Sequence, residues 1–360
     1  MQTIHILKES TITNSFNNDC IKSIFDITQD KVIYEKEHKL YYDEIQDWNI
    51  GVIYGNSGSG KTLLGKEIAK RENIPIIEFL EWDNSKNIIE NFNSDNLNLI
   101  LEYLSNVGLN TQLSYLKPYS VLSNGEKMRV NIARALFEND YLILDEFSSV
   151  VDRDIVKIIC KCINKLVMKY NKKLICISCH KDYFDYLQPQ WIYNVDTQEF
   201  KKDLLWQRIT NKYYITHGNK QDWQLFRCHH YLSHTLPYCT DIFLLLDSKE
   251  NKIGFIGFKT LLNKALVKQV ARLVILPDYQ GIGLGNVFLT KTCAIIKRKY
   301  PKYNVIITTS LKLFIKSLKK NKNFKGKIIT STLNKNKKLN KTIKYRKGSF
   351  TYEPTNFSQV

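Results

Sequence analysis

The 360-residue sequence has no apolar run long enough to cross a membrane. Its eight cysteines are scattered and lack the spacing of a disulfide-bonded secreted domain. No signal peptide is recognisable at the start. These absences argue against an integral membrane protein and against a disulfide scaffold. We therefore expect a cytoplasmic protein with reduced thiols and no membrane partner.

Acidic residues are scarce in the second half of the chain. Residues 201–360 contain 31 Lys and Arg against 7 Asp and Glu, a net of +24, whereas residues 1–200 contain 22 against 28, a net of −6. A field of this sign indicates nucleic acid, DNA or RNA, as a partner of the basic half. A lysine-rich composition without such a partner is the alternative. The length and the charge split predict two domains, 1–200 and 201–360, and no Pro/Gly/Ser-rich linker separates them.

A glycine-rich turn lies between an apolar run and a helical pattern. Residues 55–62 fit G-x-x-x-x-G-K-[ST], and residues 50–54 ahead of them predict a buried strand. Glycines let backbone N–H groups surround a phosphate, Lys61 reaches the terminal phosphates, and the Thr62 hydroxyl can bind Mg²⁺. A chance glycine-rich turn is the alternative. We expect nucleoside triphosphate binding by Gly55, Asn56, Ser57, Gly58, Ser59, Gly60, Lys61 and Thr62.

Paired carboxylates follow a second apolar run. Residues 141–144 predict a strand that ends in Asp145 and Glu146. Neighbouring strand residues point to opposite faces, so the two carboxylates need not share one role. Asp145 can support Mg²⁺, and Glu146 can orient and deprotonate an attacking water. A further predicted strand, 174–178, leads to His180.

Residues 122–129 read L-S-N-G-E-K-M-R ahead of a helical pattern. Ser123 is a good N-cap and Glu126 completes a capping box, so helix capping alone explains this much. The pattern L-S-x-G-E-x-x-R nevertheless resembles the signature motif of ABC-type ATPases. The phosphate loop, this motif, the carboxylates and His180 occur in the order of that family. Residues 147–152 match the spacing of its D-loop.

The resemblance covers about residues 1–200 and implies an α/β fold with a P-loop ABC ATPase domain. It implies that Lys61, Ser123, Glu146 and the switch histidine His180 act in ATP hydrolysis. ATP contacts would extend to Asp145 and Gly125, and Mg²⁺ would lie at Thr62 and Asp145. It also implies a head-to-tail homodimer, in which the Ser123 loop closes over the γ-phosphate held by the other subunit.

Several features of the family are missing or unassigned. After a predicted strand at 74–79 there is no glutamine loop, and the polar residues there are Glu81, Asp83 and Asn84. Residues 88–114 look helical, and the segment between the phosphate loop and the signature motif is short. That shortness favours an ATPase without a membrane subunit. The candidates for stacking on adenine are Tyr34, Tyr41 and Tyr42.

Two strings of cysteine and histidine suggest cofactors. Residues 176–180 fit C-x-x-C-H, but they end a predicted buried strand, and His180 already has a role, so we do not expect haem. A second group matches no zinc-site spacing, and we expect a structural or substrate-contacting role for it. That group is Cys228, His229, His230, His234 and Cys239.

A second glycine-spaced turn occurs in the basic half. Residues 271–276 predict a strand, and an amphipathic helix follows Gly285, so backbone N–H groups of 280–285 form an anion nest. A dinucleotide site is the alternative, although the later glycine of G-x-G-x-x-G is missing. The string V-x-L-P-x-Y-Q-G-x-G-x-G closely resembles motif A of GNAT acyltransferases, which grip the pyrophosphate of acyl-coenzyme A (acyl-CoA).

The second resemblance implies an α+β GNAT-like acyltransferase domain over 201–360, with acetyl-CoA or another acyl-CoA as cofactor. A predicted hairpin of strands 241–246 and 252–258 suits that fold. The residues expected to contact acyl-CoA are Leu276, Gln280, Gly281, Ile282, Gly283, Leu284 and Gly285.

The acid that protonates the departing thiolate is not identified by sequence. After a predicted strand at 304–310, the helix at 311–318 offers Ser317 but no tyrosine. Other candidates are His230, Tyr231 and His234. The lysine-dense residues 325–347 lead into strand-like alternation at 345–352.

Taken whole, the chain resembles phage and bacterial fusions of an ABC ATPase with a GNAT domain. Phage GNAT-like enzymes that modify adenine bases in DNA are the functional analogy. We expect an ATP-driven acyltransferase that acts on nucleic acid. One alternative is a protein or small-molecule N-acyltransferase regulated by the ATPase. Another is a non-catalytic, nucleotide-gated binding module.

Overall fold

The computed structural model describes residues 2–148, 151–206, 212–230, 235–261, 266–332 and 344–354. They form two compact units, one of residues 1–82 and 131–208 and one of residues 83–130 and 209–360. The L-S-N-G-E segment therefore belongs to the same unit as the basic half. Among the described helices, none has both the length and the apolarity that a membrane crossing requires.

The elements of residues 2–206 alternate between strands and helices. The strands are β1 (Gln2–Thr11), β2 (Lys31–Leu40), β3 (Ile50–Tyr54), β4 (Ile76–Ile77), β5 (Tyr141–Leu144), β6 (Lys173–Ser178), β7 (Trp191–Asn194) and β8 (Glu199–Lys202). The helices are α1 (Phe16–Ile24), α2 (Lys61–Glu72), α3 (Leu97–Asn106), α4 (Gln112–Tyr115), α5 (Asn124–Glu138), α6 (Arg153–Tyr170) and α7 (Phe184–Leu187).

The first unit is built on a six-stranded sheet of order β4-β5-β6-β3-β7-β8. Strands β3 to β7 run parallel, and β8 is antiparallel to β7. Every residue of β3 is buried, as expected of a parallel strand covered on both faces. The strands expected at 50–54, 141–144 and 174–178 are confirmed. The strand expected at 74–79 is reduced to the two residues of β4.

A two-stranded antiparallel layer precedes the phosphate loop. It is one ladder, in which β1 pairs with β2 from Gln2 opposite Leu40 to Thr11 opposite Lys31. Residues 88–114, expected to be helical, contain α3 and the start of α4 as two separate helices. Asn96 caps α3 by accepting from Leu99 N, and Gly108 follows that helix with φ of 90°, a conformation that glycine adopts readily.

The described elements of residues 212–354 form the rest of the second unit. The strands are β9 (Tyr214–His217), β10 (Asp241–Leu246), β11 (Lys252–Thr260), β12 (Val267–Ile275), β13 (Asn304–Thr309), β14 (Phe324–Thr332) and β15 (Lys344–Tyr352). The helices are α8 (Trp223–Phe226), α9 (Leu284–Lys299) and α10 (Lys312–Lys320).

These strands make one seven-stranded sheet of order β14-β15-β13-β12-β11-β10-β9. The expected hairpin is confirmed as β10 and β11, and the alternation at 345–352 is confirmed as part of β15. The lysine-dense residues also supply β14, which pairs with β15. Helix α9 packs on the sheet through buried side chains that include Phe288, Leu289 and Ile296.

A buried carboxylate links α9 to the sheet. Asp241 accepts hydrogen bonds from Lys268 Nζ at 2.9 Å and from Lys299 Nζ at 2.8 Å. Burial acts to raise the pKa of Asp241, but the hydrogen bonds from Lys299 and Lys268 outweigh it and lower the pKa. The carboxylate therefore stays ionised and holds β10, β12 and the end of α9 together.

Candidate functional site

Three adjacent parallel strands bring the predicted ATPase residues to one edge of the first sheet. The order β5-β6-β3 places the carboxyl ends of these strands side by side. Asp145 and Glu146 follow β5, His180 follows β6, and the loop 55–60 follows β3. In an open parallel sheet, ligands bind at the carboxyl ends of the strands.

The glycine loop ends in a left-handed residue at the start of α2. Gly58 has φ of 77° and Gly60 has φ of 95°. Gly60 is the N-cap and makes no side-chain capping bond, so the first N–H groups of α2 are directed toward the loop. The Cβ of any larger residue at 60 would collide with the Tyr34 hydroxyl, whereas a Cβ at Gly58 would meet nothing within 4 Å.

Side chains from several elements hold the loop in place. Lys61 Nζ donates to Asn56 O at 2.5 Å, and Tyr34 Oη donates to Ser59 O at 3.0 Å. The Asp196 carboxylate accepts from Asn56 N at 2.7 Å. Asp196 lies 140 residues beyond Asn56 and belongs to no motif, so the sequence offered no signal for it.

The three tyrosines that are candidates for stacking on adenine have different contacts. Tyr42 is 2% exposed and donates to Glu72 at 3.1 Å, so it is committed to the core. Tyr41 packs edge-on against Phe200. Of the three, Tyr34 is the one with a hydrogen bond to the phosphate loop.

The paired carboxylates differ in environment. Asp145 is buried and accepts from Glu146 N at 2.9 Å, whereas the Glu146 side chain is exposed. Glu146 has φ of 47°, a left-handed conformation that costs a residue with a Cβ roughly 1–2 kcal/mol. Strain of this kind clusters at functional sites, and here it turns the chain directly after the strand.

His180 lies where β6 ends and is half-buried. Its backbone N–H donates a hydrogen bond to Ser178 Oγ at 3.1 Å.

Arg153 joins the segment that follows β5 to the segment that follows β6. Its Nη1 donates to Ser148 O at 3.3 Å, and its guanidinium pairs with Asp182. The hydrogen bond from Arg153 lowers the pKa of Asp182. Residues 149–150 of the predicted D-loop lie outside the described residues.

The signature segment forms the predicted capping box. Ser123 N donates to Glu126 Oε2 at 3.0 Å, and Glu126 N donates to Ser123 Oγ at 3.3 Å. The buried Ser114 adds a donor to Glu126 at 2.6 Å. Ser123 is exposed and Gly125 is buried. The turn is thus fixed from inside the unit, while its serine faces solvent.

The glycine turn of the basic half begins α9 in the same manner. Gly281 has φ of 87°, and Gly283, the N-cap of α9, has φ of 90°. A Cβ at Gly283 would meet nothing within 4 Å. The first turn of α9 carries no acidic residue, and its last turn carries three basic ones. The helix dipole and uncapped N–H groups therefore favour an anion at 281–285.

The sheet opens beside this turn. Within the described residues, β12 and β13 are the one parallel pair of the sheet, joined only between 267–269 and 304–306. Residues 270–275 of β12 and 307–309 of β13 do not pair with each other, so the ladder between the two strands ends before β12 reaches the glycine turn. A cavity of about 190 Å³ lies against the first turns of α9. It is lined by Tyr213, Ile215, Leu245, Leu284, Val287, Phe288 and Lys291.

Two of the candidates for the acyl-transfer acid lie within the described residues. Ser317 Oγ accepts from Asn286 Nδ2 at 3.1 Å, which places it against the first turn of α9. His230 is buried, with its ring edge-on to Trp223. Tyr231 and His234 lie outside the described residues.

The two strings of cysteine and histidine lie in the part of the chain that is described, apart from His234. No group of three or more His, Cys, Asp or Glu side chains there is placed to hold a metal ion. Cys228 is exposed and Cys239 is buried, and both are free thiols. Cys176 of the C-x-x-C-H string is buried within β6, where burial raises its thiol pKa.

No protein-family model and no curated protein matches the sequence. Among solved structures, the chain is similar to cbiO1 from Clostridium perfringens, part of the ABC transporter complex cbiONQ. That match has 20% identity, covers 53% of this chain and 84% of that chain, and has a TM-score of 0.36. A dimeric ATP-binding cassette bound to ADP and Pi matches with 16% identity, covering 55% and 98%, with a TM-score of 0.38.

Both matched structures are ATP-binding cassette proteins, and each match covers about half of this chain.

The loop geometry predicts a graded response to alanine. Gly60→Ala should weaken Mg-ATP binding at least about tenfold, because its Cβ collides with Tyr34 in addition to the strain of positive φ. Gly58→Ala carries similar strain without a collision and is the matched control, with a smaller loss. Titration calorimetry measures both. Equal losses would show that Tyr34 does not shape the site.

Proposed function

We propose that the chain binds and hydrolyses ATP with an ABC-type site and transfers an acyl group from acyl-CoA to nucleic acid. The proposal of ATP binding and hydrolysis rests on the sheet edge at which β5, β6 and β3 end side by side. That edge presents an uncapped helix N-terminus, a lysine, two carboxylates and a histidine, which together serve phosphoryl transfer.

The residues present fit Mg-ATP. Ser59 Oγ is buried in the loop without a hydrogen-bond partner among the described residues. The Thr62 hydroxyl and the Asp145 carboxylate are oxygen ligands of the kind that Mg²⁺ prefers. Bound there, Mg²⁺ would neutralise charge on the phosphate oxygens. Lys61 would hold the terminal phosphates by its ammonium group.

The remaining residues have distinct roles in hydrolysis. Glu146 is exposed directly after β5 and accepts the proton of the attacking water. His180 donates a hydrogen bond to the γ-phosphate side of the site. Ser123 and Gly125 close the site of the other subunit in a head-to-tail homodimer. This assembly accounts for the exposure of Ser123 on a rigidly capped turn.

The turn at 276–285 supports acyl-CoA as the second ligand. Its N–H groups, the positive end of α9 and the opening between β12 and β13 suit a pyrophosphate with an extended arm. When bound, acyl-CoA would supply an acyl carbon to an acceptor amine. A C–N bond would form, the C–S bond would break, and the amine proton would pass to the departing thiolate. Ser317 lies against the first turn of α9 and can donate a hydrogen bond to that thiolate.

The acceptor is proposed from charge. The half from 201 to 360 has a net of +24, and lysines such as Lys325 and Lys327 are exposed. Such a surface binds polyphosphate backbones and draws nucleic acid to the acyl-CoA site. Lys335, Lys337, Lys338 and Lys341 lie outside the described residues. A protein or small-molecule acceptor remains the second candidate, since acyl-CoA binding does not depend on this charge.

For hydrolysis, Glu146→Gln should bind Mg-ATP but turn it over at least about 100-fold more slowly, because the water loses its base. Uncleaved ATP should then hold two chains together, so light scattering should show an ATP-dependent dimer. Glu138→Gln, a change in a residue far along α5 that pairs with Arg134, is the control and should keep activity. A monomer with bound Mg-ATP would contradict the homodimer.

For the acceptor, the full chain should bind polynucleotide with a log–log salt slope of about −0.9 for each neutralised phosphate. With acetyl-CoA and Mg-ATP, mass spectrometry should detect an acylated base. Replacing Gly283 by Val should abolish acylation and leave the salt slope intact. If polynucleotide binding does not change with salt, and a peptide offered in place of the polynucleotide is acylated, the protein acceptor would be favoured.

A further inference from the structure

Arg129 is a buried cation in the signature helix α5. Its side chain is 1% exposed, and its guanidinium donates to two backbone carbonyls from different parts of the chain. Nη1 donates to Val107 O at 2.5 Å, where α3 ends, and Nη2 donates to Asp278 O at 3.0 Å. Asp278 lies in the short turn that leads into the acyl-CoA loop. A planar guanidinium with two fixed acceptors orients both segments.

Gln280 forms a second link between the same segments. Its Oε1 accepts from Asn110 N at 3.0 Å, and its Nε2 donates to Ile275 O at 2.7 Å. The side chain therefore turns toward residues 107–110. The backbone N–H of Gln280, which was predicted to face acyl-CoA, donates to Pro277 O at 3.1 Å. Gly281, the first left-handed glycine of that loop, is the next residue.

Gly108 lies between the two links. A Cβ there would collide with Arg129 Nη1 and would lie 2.7 Å from Gln280 O. Its φ of 90° also disfavours any other residue. The junction is thus closely packed, and a displacement of either side has to move the other.

The same helix carries the exposed end of the ATPase signature. Ser123 lies six positions before Arg129 and is locked to α5 by its capping box. His229 also lies near this face. Burial lowers the pKa of His229, while the carboxylates of Glu126 on α5 and Asp278 on the loop oppose that effect. Helix α5 is fixed to Ser123 at its start and donates from Arg129 to Asp278, so it connects the signature serine to the base of the acyl-CoA loop.

We propose that α5 couples the two sites, so that ATP contact at Ser123 changes acyl-CoA affinity at 281–285 through Arg129 and Gln280. This inference rests on the proposed function of both sites. Arg129, Gly108 and the Gln280 amide are positioning groups, because they contact the backbone of the loop and not the ligand. Coupling is reciprocal, so acyl-CoA should change ATP affinity by the same factor.

The test uses the full chain with Glu146→Gln, which retains ATP. Titration calorimetry measures the dissociation constant of coenzyme A with and without Mg-ATP, and that of ATP with and without coenzyme A. We expect the same factor, of at least about fivefold, in both directions. Arg129→Lys and Gly108→Ala should each reduce this factor below about twofold. The factor compares one variant with and without ATP, so a change in the basal affinity of that variant for coenzyme A does not enter it.

Lys316→Ala is the matched control. Lys316 of α10 and Glu102 of α3 are 3.7 Å apart, so this pair joins α3 to a helix other than α9 and does not involve the loop. The factor should therefore persist. Melting curves establish whether each variant is folded, and if Arg129→Lys is not, Gly108→Ala decides.

The outcomes separate this inference from the function on which it rests. Coenzyme A affinity that is the same with and without ATP would overturn the coupling and leave the acyl-CoA site standing. A factor that survives in Gly108→Ala, or in a folded Arg129→Lys, would overturn the route through α5. No coenzyme A binding by any form would overturn the proposed acyl-CoA function, and the coupling with it.

Discussion

A left-handed glycine at the N-cap of a helix is the constraint on which both candidate sites depend. Gly60 begins α2 with φ of 95°, and Gly283 begins α9 with φ of 90°. Neither helix has a side-chain cap, so in each the first backbone N–H groups point at the glycine turn. The helix dipole adds to their attraction for anions. The two units thus share one backbone arrangement that favours an anion, on sheets of different topology.

The sequence identified both turns because the chemistry of such a turn is local. Strand, glycines and helix lie within about twenty residues, and their order alone predicts uncapped N–H groups. The apolar runs that form the buried strands β3, β5 and β6 could also be recognised from the sequence. Local signals were less informative about where helices begin and end. In residues 88–114 the helical pattern did not locate the Asn96 cap and the left-handed Gly108 that flank α3.

Contacts between distant segments were beyond sequence reasoning. Asp196 reaches the phosphate loop from 140 residues away. Arg129 meets Asp278 across 149 residues and Gln280 meets Asn110 across 170. An arginine in the signature pattern looks like an ordinary surface cation until its burial is known. The placement of residues 83–130 in the unit of the basic half follows from such contacts, which no single sequence reveals.

Hydrogen–deuterium exchange tests most directly whether the two sites act as one device. The measurement compares amide exchange in the full chain carrying Glu146→Gln, with and without Mg-ATP. Our account predicts that ATP changes protection in the phosphate loop, in the first turns of α5 and also in residues 278–285. A change confined to the phosphate loop and α5, with residues 278–285 unaffected, would contradict it.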